Sequence, residues 1–171
     1  QQLEQASSEP VARYRAERLA AAGTKHVHDP CCGIGSDSIA LARAGMQVEA
    51  ADSDSVALHF ATCNAEVNGA AERIRFRLAD CELEPPPPGG AIFLDPARRR
   101  GARRIIHPEE WSPGPTAVLA AMVGRSSAVL KLSPAVDLDE LVTHFPAPDE
   151  IEVLSYLGEA KETVFWYGAA A

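Results

Sequence analysis

His26-Val27-His28-Asp29-Pro30-Cys31-Cys32-Gly33-Ile34-Gly35 is the stretch on which the fold turns. A short strand, His26 to His28, runs into an acid and then into a loop whose two glycines allow a tight turn and close approach of backbone to a ligand. Ser36 to Ala44 then reads as a helix closed by Gly45, a glycine stop. A helix that begins at such a loop points its unpaired N–H groups at whatever the loop holds.

The pattern continues on both sides. Upstream, Ser8 and Pro10 open a helix over 9–22, with Val11, Tyr14, Arg18 and Leu19 along it and a stop at Gly23. Downstream, Val48 to Ala51 is a strand ending in Asp52. Ser55 to Asn68 is a helix whose apolar positions Val56, Phe60, Cys63 and Val67 predict its buried stripe. Ile74 to Leu78 is a strand followed by Asp80, and Pro85 to Pro88 with Gly89-Gly90 is a stiff surface connection. Ala91 to Leu94 is a buried strand ending in Asp95-Pro96. An arginine-rich loop leads to a helix over Thr116 to Val123, a strand over Ala128 to Leu132 and a short helix over Asp137 to His144. Ile151 to Tyr156 and Thr163 to Tyr167 close the chain as a hairpin around Gly158. Five β-then-α passes and a hairpin predict an α/β fold: a Rossmann-like, seven-stranded, mostly parallel sheet with helices on both faces and an antiparallel C-terminal hairpin strand.

A length of 171 residues suits one domain, 1–171, with a two-sided core. The chain begins at Gln1 rather than Met, which reads as a domain excised from a longer protein. An apolar fraction of 46% and a charged fraction of 23% are those of an ordinary globular protein. No apolar run is long enough to cross a bilayer, and Gln1-Gln2-Leu3-Glu4 does not read as the start of a signal peptide. Cys31, Cys32, Cys63 and Cys81 lack metal or redox spacing and read as reduced thiols in a cytoplasmic protein. No metal site is expected; His26 and His28 have no partner at ligand spacing. The net charge of -8 argues against binding nucleic acid through the overall field, though not through a local basic patch.

Four strand ends carry an acid: Asp29, Asp52, Asp80 and Asp95. In an open α/β sheet those ends form the ligand rim, and carboxylates crowded there are costly unless a ligand supplies donors. Any one of them alone would pass as a helix cap. Asp29 would repel a pyrophosphate but suits the ammonium of a methionine moiety. Asp52, 17 residues beyond Gly35, is near the spacing of a ribose-binding carboxylate, and Asp80 would accept from an adenine amine.

The loop Asp29-x-x-x-Gly33-x-Gly35, the acids Asp52 and Asp80, and the pair Asp95-Pro96 together resemble motifs I to IV of the class I S-adenosylmethionine-dependent methyltransferases, which also end in a hairpin. Within them the chain looks most like RNA-modifying members. The Cys-Gly-x-Gly loop and Leu94-Asp95-Pro96-Ala97-Arg98 are similar to the uridine carbon-5 enzymes. The same loop with Asn64-Ala65-Glu66 is similar to trimethylguanosine synthases and to THUMP-associated guanosine enzymes. The resemblance implies S-adenosylmethionine as cofactor and S-adenosylhomocysteine as product. It implies Asp29, Cys31, Gly33, Gly35, Asp37, Asp52, Ser53, Asp80 and Cys81 as cofactor residues, and Asp95 and Pro96 as catalytic ones. Methylation of a base nitrogen in ribosomal or transfer RNA follows, with an additional RNA-binding domain expected in the full-length protein.

The resemblance has two departures. Ala97-Arg98 stand where amino-group enzymes carry a Pro-aromatic pair that stacks on the base. Ser133 stands where the uridine enzymes carry their cysteine, and a hydroxyl is a poor nucleophile toward a pyrimidine. Beyond the fourth motif, Arg98-Arg99-Arg100-Gly101-Ala102-Arg103-Arg104 concentrates five of the chain's 16 basic residues. Arg98, Arg99, Arg100 and Arg103 are therefore expected to contact RNA phosphates. His107 and Trp111 either line a pocket or anchor the loop, and Trp166 and Tyr167 belong to the core. Two alternatives are a non-catalytic scaffold domain and, from Gly33-x-Gly35 with Asp52 alone, a nicotinamide-dependent oxidoreductase. Ser38, in place of a third small residue, and the closing hairpin count against the latter.

Overall fold

The computed structural model describes residues 7–97, 99–100, 103–104 and 107–171, with the backbone alone for Arg99–Arg100 and Arg103–Arg104. Pro10 in its first turn opens α1 (Glu9–Ala21). The chain then forms β1 (His26–Asp29), α2 (Ser36–Arg43), β2 (Gln47–Asp52), α3 (Ser55–Val67), β3 (Ile74–Leu78) and β4 (Ala91–Leu94). Two short strands follow, β5 (Arg99–Arg100) and β6 (Arg103–Arg104), paired antiparallel. The last part holds α4 (Pro115–Met122), β7 (Ser127–Leu132), α5 (Leu138–His144), β8 (Glu150–Tyr156) and β9 (Glu159–Gly168).

One seven-stranded sheet has the order β3-β2-β1-β4-β7-β9-β8. The first five strands are parallel, and β9 runs antiparallel between β7 and β8. The predicted mostly parallel sheet with its antiparallel hairpin strand is therefore present. The chain order reverses between β1 and β4, so the crevice outside the carboxyl ends of these two strands is where such a sheet binds ligands.

Period-2 alternation sends side chains to two cores. Phe93, Val129, Val164 and Trp166 pack with Leu19 of α1, Leu41 of α2 and Ala61 of α3. Ile92, Leu94, Leu130 and Phe165 pack with Val118 of α4, Leu141 of α5, Phe145 and Trp111. Helices thus cover both faces. No helix among the described residues is long and apolar enough to cross a membrane.

Two expectations are corrected. The five strand-then-helix passes are not all present: residues 79–90, between β3 and β4, contain no helix, because four consecutive prolines remove the donors a helix needs. The stripe expected to be buried on α3 faces outward instead, with Val56 58%, Phe60 51% and Val67 88% exposed. The buried face is Ala57, Ala61 and Ala65. The reason is distance. A Cβ placed on Gly35 would sit 3.1 Å from the Ala61 Cβ, so α3 lies too close to the glycine loop for a larger side chain.

Candidate functional site

The glycine loop is held from three sides. The Cys32 N–H donates to Ala51 O on β2 at 2.9 Å, and Asn64 Nδ2 of α3 donates to Ile34 O at 3.0 Å. The Gly33 N–H donates to Asp52 Oδ2 at 2.8 Å. Gly33 and Gly35 have φ of 53° and 87°, values that disfavour any other residue. Asp52 also accepts from the Asp54 N–H through Oδ1 at 2.9 Å, so this carboxylate builds the loop as well as facing the crevice.

Asp29 ends β1 only 1% exposed. Its Oδ2 accepts from Ser38 Oγ at 2.5 Å, whereas its Oδ1 is buried with no hydrogen-bond partner. Burial, reinforced by Asp37, Asp95 and Asp52, pushes this carboxyl up to about 8 against the help of Ser38. Ser38, the residue that departs from the dinucleotide pattern, is thus the anchor of Asp29.

A cleft of about 840 Å³ opens over these strand ends. Its walls include Asp29, Cys31, Gly33, Asp37, Asp52, Ser53, Asp80, Cys81, Asp95 and Pro96. The structure therefore brings together all but one of the candidate cofactor residues and both candidate catalytic ones. The exception, Gly35, sits just behind as the left-handed residue before α2. Asp80 shapes the adjoining turn by accepting from the Glu82 N–H at 2.9 Å. The neighbour Cys81, and then burial, push the Cys31 thiol up, and burial does the same to Cys32. No group of three or more His, Cys, Asp or Glu able to hold a metal occurs among the described residues.

In the same cleft, Asp95 accepts from Lys131 Nζ at 2.5 Å. Ala97 continues from Pro96 into a bridge with Ser112, its N–H donating to Ser112 O at 2.7 Å. The position after Pro96 thus closes a loop rather than offering a ring to stack. Arg98 lies outside the described residues, and so do the side chains of Arg99, Arg100 and Arg103; their backbone forms the β5–β6 pair beyond Ala97. Trp111 is buried and stacks on Phe145, so it anchors the loop and stays out of the cleft. His107 is exposed against Glu140, and Trp166 is core.

Sequence patterning alone passes over Lys131, Glu162, Lys161 and Ser7, all of which line the cleft. Arg15 joins several of these groups beneath it. Its guanidinium pairs with Asp37 and with Glu162 and donates to Ser7 Oγ at 2.9 Å. Burial alone would raise the Asp37 carboxyl, but Arg15 and Lys131 hold it below its ordinary range. A lone lysine inside the apolar run Ala128 to Leu132 is the one signal that could have pointed to them.

A family profile described as RNA cap guanine-N2 methyltransferase matches residues 24–109. The chain is 36% identical over 170 residues to an S-adenosylmethionine-dependent methyltransferase of Mycobacterium tuberculosis, an alignment that covers 99% of the chain and 45% of that protein. It therefore spans a little under half the length of that relative. It is also 32% identical over 111 residues to a 23S rRNA uracil-C5 methyltransferase of Acidithiobacillus ferrooxidans, covering 61% of the chain and 25% of that protein. An RNA methyltransferase from Salinibacter ruber, solved with S-adenosylhomocysteine, shares the fold at a TM-score of 0.59 and 19% identity, covering 94% of the chain and 91% of that one. With a profile match over half its length and the cleft described above, the chain belongs to the RNA cap guanine-N2 methyltransferase family and is an S-adenosylmethionine-dependent methyltransferase domain.

Proposed function

We propose that the domain methylates a nitrogen of a base in RNA, ribosomal or transfer, and that the exocyclic amine of guanine is the acceptor. One observation carries this reading: Asp95-Pro96 follows β4 in the same cleft as the glycine loop, with its carboxylate already oriented by a buried lysine. The family's description and the RNA-acting relatives support RNA as the acceptor class.

The cleft fits the cofactor. Its volume of about 840 Å³ lies within the range of small-molecule sites. The unpartnered Oδ1 of Asp29 awaits a donor, which an α-ammonium provides. Asp52 is near for ribose hydroxyls, and Asp80, Cys31, Ser53 and Cys81 line the remainder, with Asp37 at the start of α2. When bound, S-adenosylmethionine supplies a methyl group on a sulfonium. The protein's own work is positioning: Asp95 and the Pro96 carbonyl accept from the amine N–H groups, aim the nitrogen lone pair and stabilise the positive charge that grows there. The β5–β6 arginines Arg99, Arg100 and Arg103, with Arg98 before them, then meet the RNA backbone.

Carbon-5 methylation is disfavoured despite the uridine-enzyme relative. All four cysteines precede β4, and Ser133 stands past the end of β7, where an attacking thiol would be needed. The test is Asp95→Ala with labelled methyl transfer to RNA. Turnover should fall by roughly two to three orders of magnitude with S-adenosylhomocysteine affinity nearly unchanged. Near-normal turnover contradicts the assignment, and absence of transfer in the wild type favours a scaffold.

A further inference from the structure

Strand β7 is buried at all of its positions, yet its fifth residue is a lysine. Lys131 is 6% exposed and alternates with Leu130 and Leu132, so it shares the sheet face of Val129, under α1 and α2. An aliphatic side chain would fill such a place without removing a charge from water. The ammonium instead lies 2.5 Å from Asp95 Oδ2 and 3.7 Å from Asp37 Oδ2. Asp37 is fixed in turn by Arg15 and by Ser7 Oγ at 2.8 Å, and Arg15 is fixed by Glu162 of β9. The charges alternate along this line, from Glu162 through Arg15, Asp37 and Lys131 to Asp95. A buried ion cluster of this kind adds little net stability, because desolvation offsets the attraction. What it does supply is fixed geometry at its last member, which faces the cleft.

We propose that Lys131 is a positioning residue of the transfer step, holding the Asp95 carboxylate at the acceptor and tying it to the helix that follows the cofactor loop. This inference rests on the reading of Asp95 given above. Lys131 acts through Asp95 and does not itself touch the reacting atoms. Misplacement of a catalytic group by about 1 Å costs on the order of a hundredfold in rate. Asp37 keeps Arg15 and Ser7 as partners when Lys131 is lost, so the loss acts mainly on kcat and changes cofactor affinity little.

The chain has three lysines, Lys25, Lys131 and Lys161, so the side-chain ammonium signals are few enough to assign in a ¹⁵N NMR spectrum of these 171 residues. Lys131 should give a slowly exchanging signal that vanishes in Lys131→Met and moves in Asp95→Asn. In labelled-methyl assays with in vitro-transcribed ribosomal and transfer RNA, Lys131→Met should lower kcat about a hundredfold. KM and the calorimetric Kd for S-adenosylhomocysteine should stay within about threefold. Lys131→Arg, which keeps the charge, should recover a large part of kcat. The proposal is overturned if the Lys131 signal is unmoved by Asp95→Asn, or if the S-adenosylhomocysteine Kd weakens in step with kcat. It is also overturned if Lys131→Met turns over like wild type while Asp95→Asn is inactive. If Asp95→Asn itself turns over normally, the assignment of Asp95 fails and takes this one with it. Should Lys131→Met not fold, Lys131→Arg and the Asp95→Asn spectrum still decide.

Discussion

Cofactor affinity should rise with pH, because Asp29 must lose a proton to meet a cation. Burial raises this carboxyl from its ordinary 3.8 to about 8, so at pH 6 the ligand-free protein holds it neutral. Its unpartnered Oδ1 is the atom an ammonium would reach, and that interaction favours the carboxylate. Binding below pH 8 therefore expels one proton. The association constant for S-adenosylhomocysteine should climb by up to about tenfold per pH unit from pH 6 and level off near pH 8. A charge-assisted hydrogen bond is worth about 1.5–3 kcal/mol, so Asp29→Asn should bind roughly ten- to a hundredfold more weakly at pH 8, with the slope abolished. Stability of the ligand-free protein runs the other way. A carboxyl raised above its unfolded value binds more protons folded than unfolded, so its contribution falls as pH rises from about 4 to about 8. Asp29→Asn should accordingly melt higher than wild type at alkaline pH while binding worse. Calorimetry across this range in two buffers of different protonation enthalpy counts the protons directly. A flat wild-type profile, or an Asp29→Asn protein with an unchanged slope, refutes the reasoning.

Gly35→Ala should destabilise by about 1–3 kcal/mol, since the new Cβ meets Ala61 at 3.1 Å and φ is 87°. Thermal melts should show the loss, with partial recovery in Gly35→Ala/Ala61→Gly. Charge reversal at Arg99, Arg100 and Arg103 should weaken RNA binding and reduce the salt slope by about one for each phosphate no longer neutralised, read by filter binding at several salt concentrations. Unchanged affinity would remove these arginines from the interface. Cys81, its thiol lowered by its neighbour Cys31, should be alkylated before Cys31, and S-adenosylhomocysteine should protect both because they line the cleft. Cys63, outside the cleft, should show no protection by mass spectrometry.

Much of the site is legible in the sequence because its chemistry sits where strands stop. Asp29 and Asp52 are the last residues of β1 and β2, and Asp95 follows β4, so an acid at the end of a short strand locates the rim without any knowledge of packing. What is not legible depends on distances between elements. The outward stripe of α3 follows from how near Gly35 lies to Ala61, which only the folded chain sets; periodicity alone favours Val56 and Phe60 over the alanines. Arg15 and Lys131 escape for the opposite reason. Each is a charge at a position whose burial pattern is apolar, and its meaning comes from partners 22 and 36 residues away. Asp37 stands out as the acid in the first turn of α2, yet its neighbours in space, Arg15 and Lys131, come from other elements.

The most direct test of the central claim is to incubate the protein with deuterated-methyl S-adenosylmethionine and unmodified RNA. The RNA is then digested to nucleosides and the label located by mass spectrometry. The expected result is a trideuterated methyl on a base nitrogen, N2-methylguanosine above all, lost in Asp95→Ala. Label at carbon 5 of uridine, or label that persists in Asp95→Ala, would contradict it.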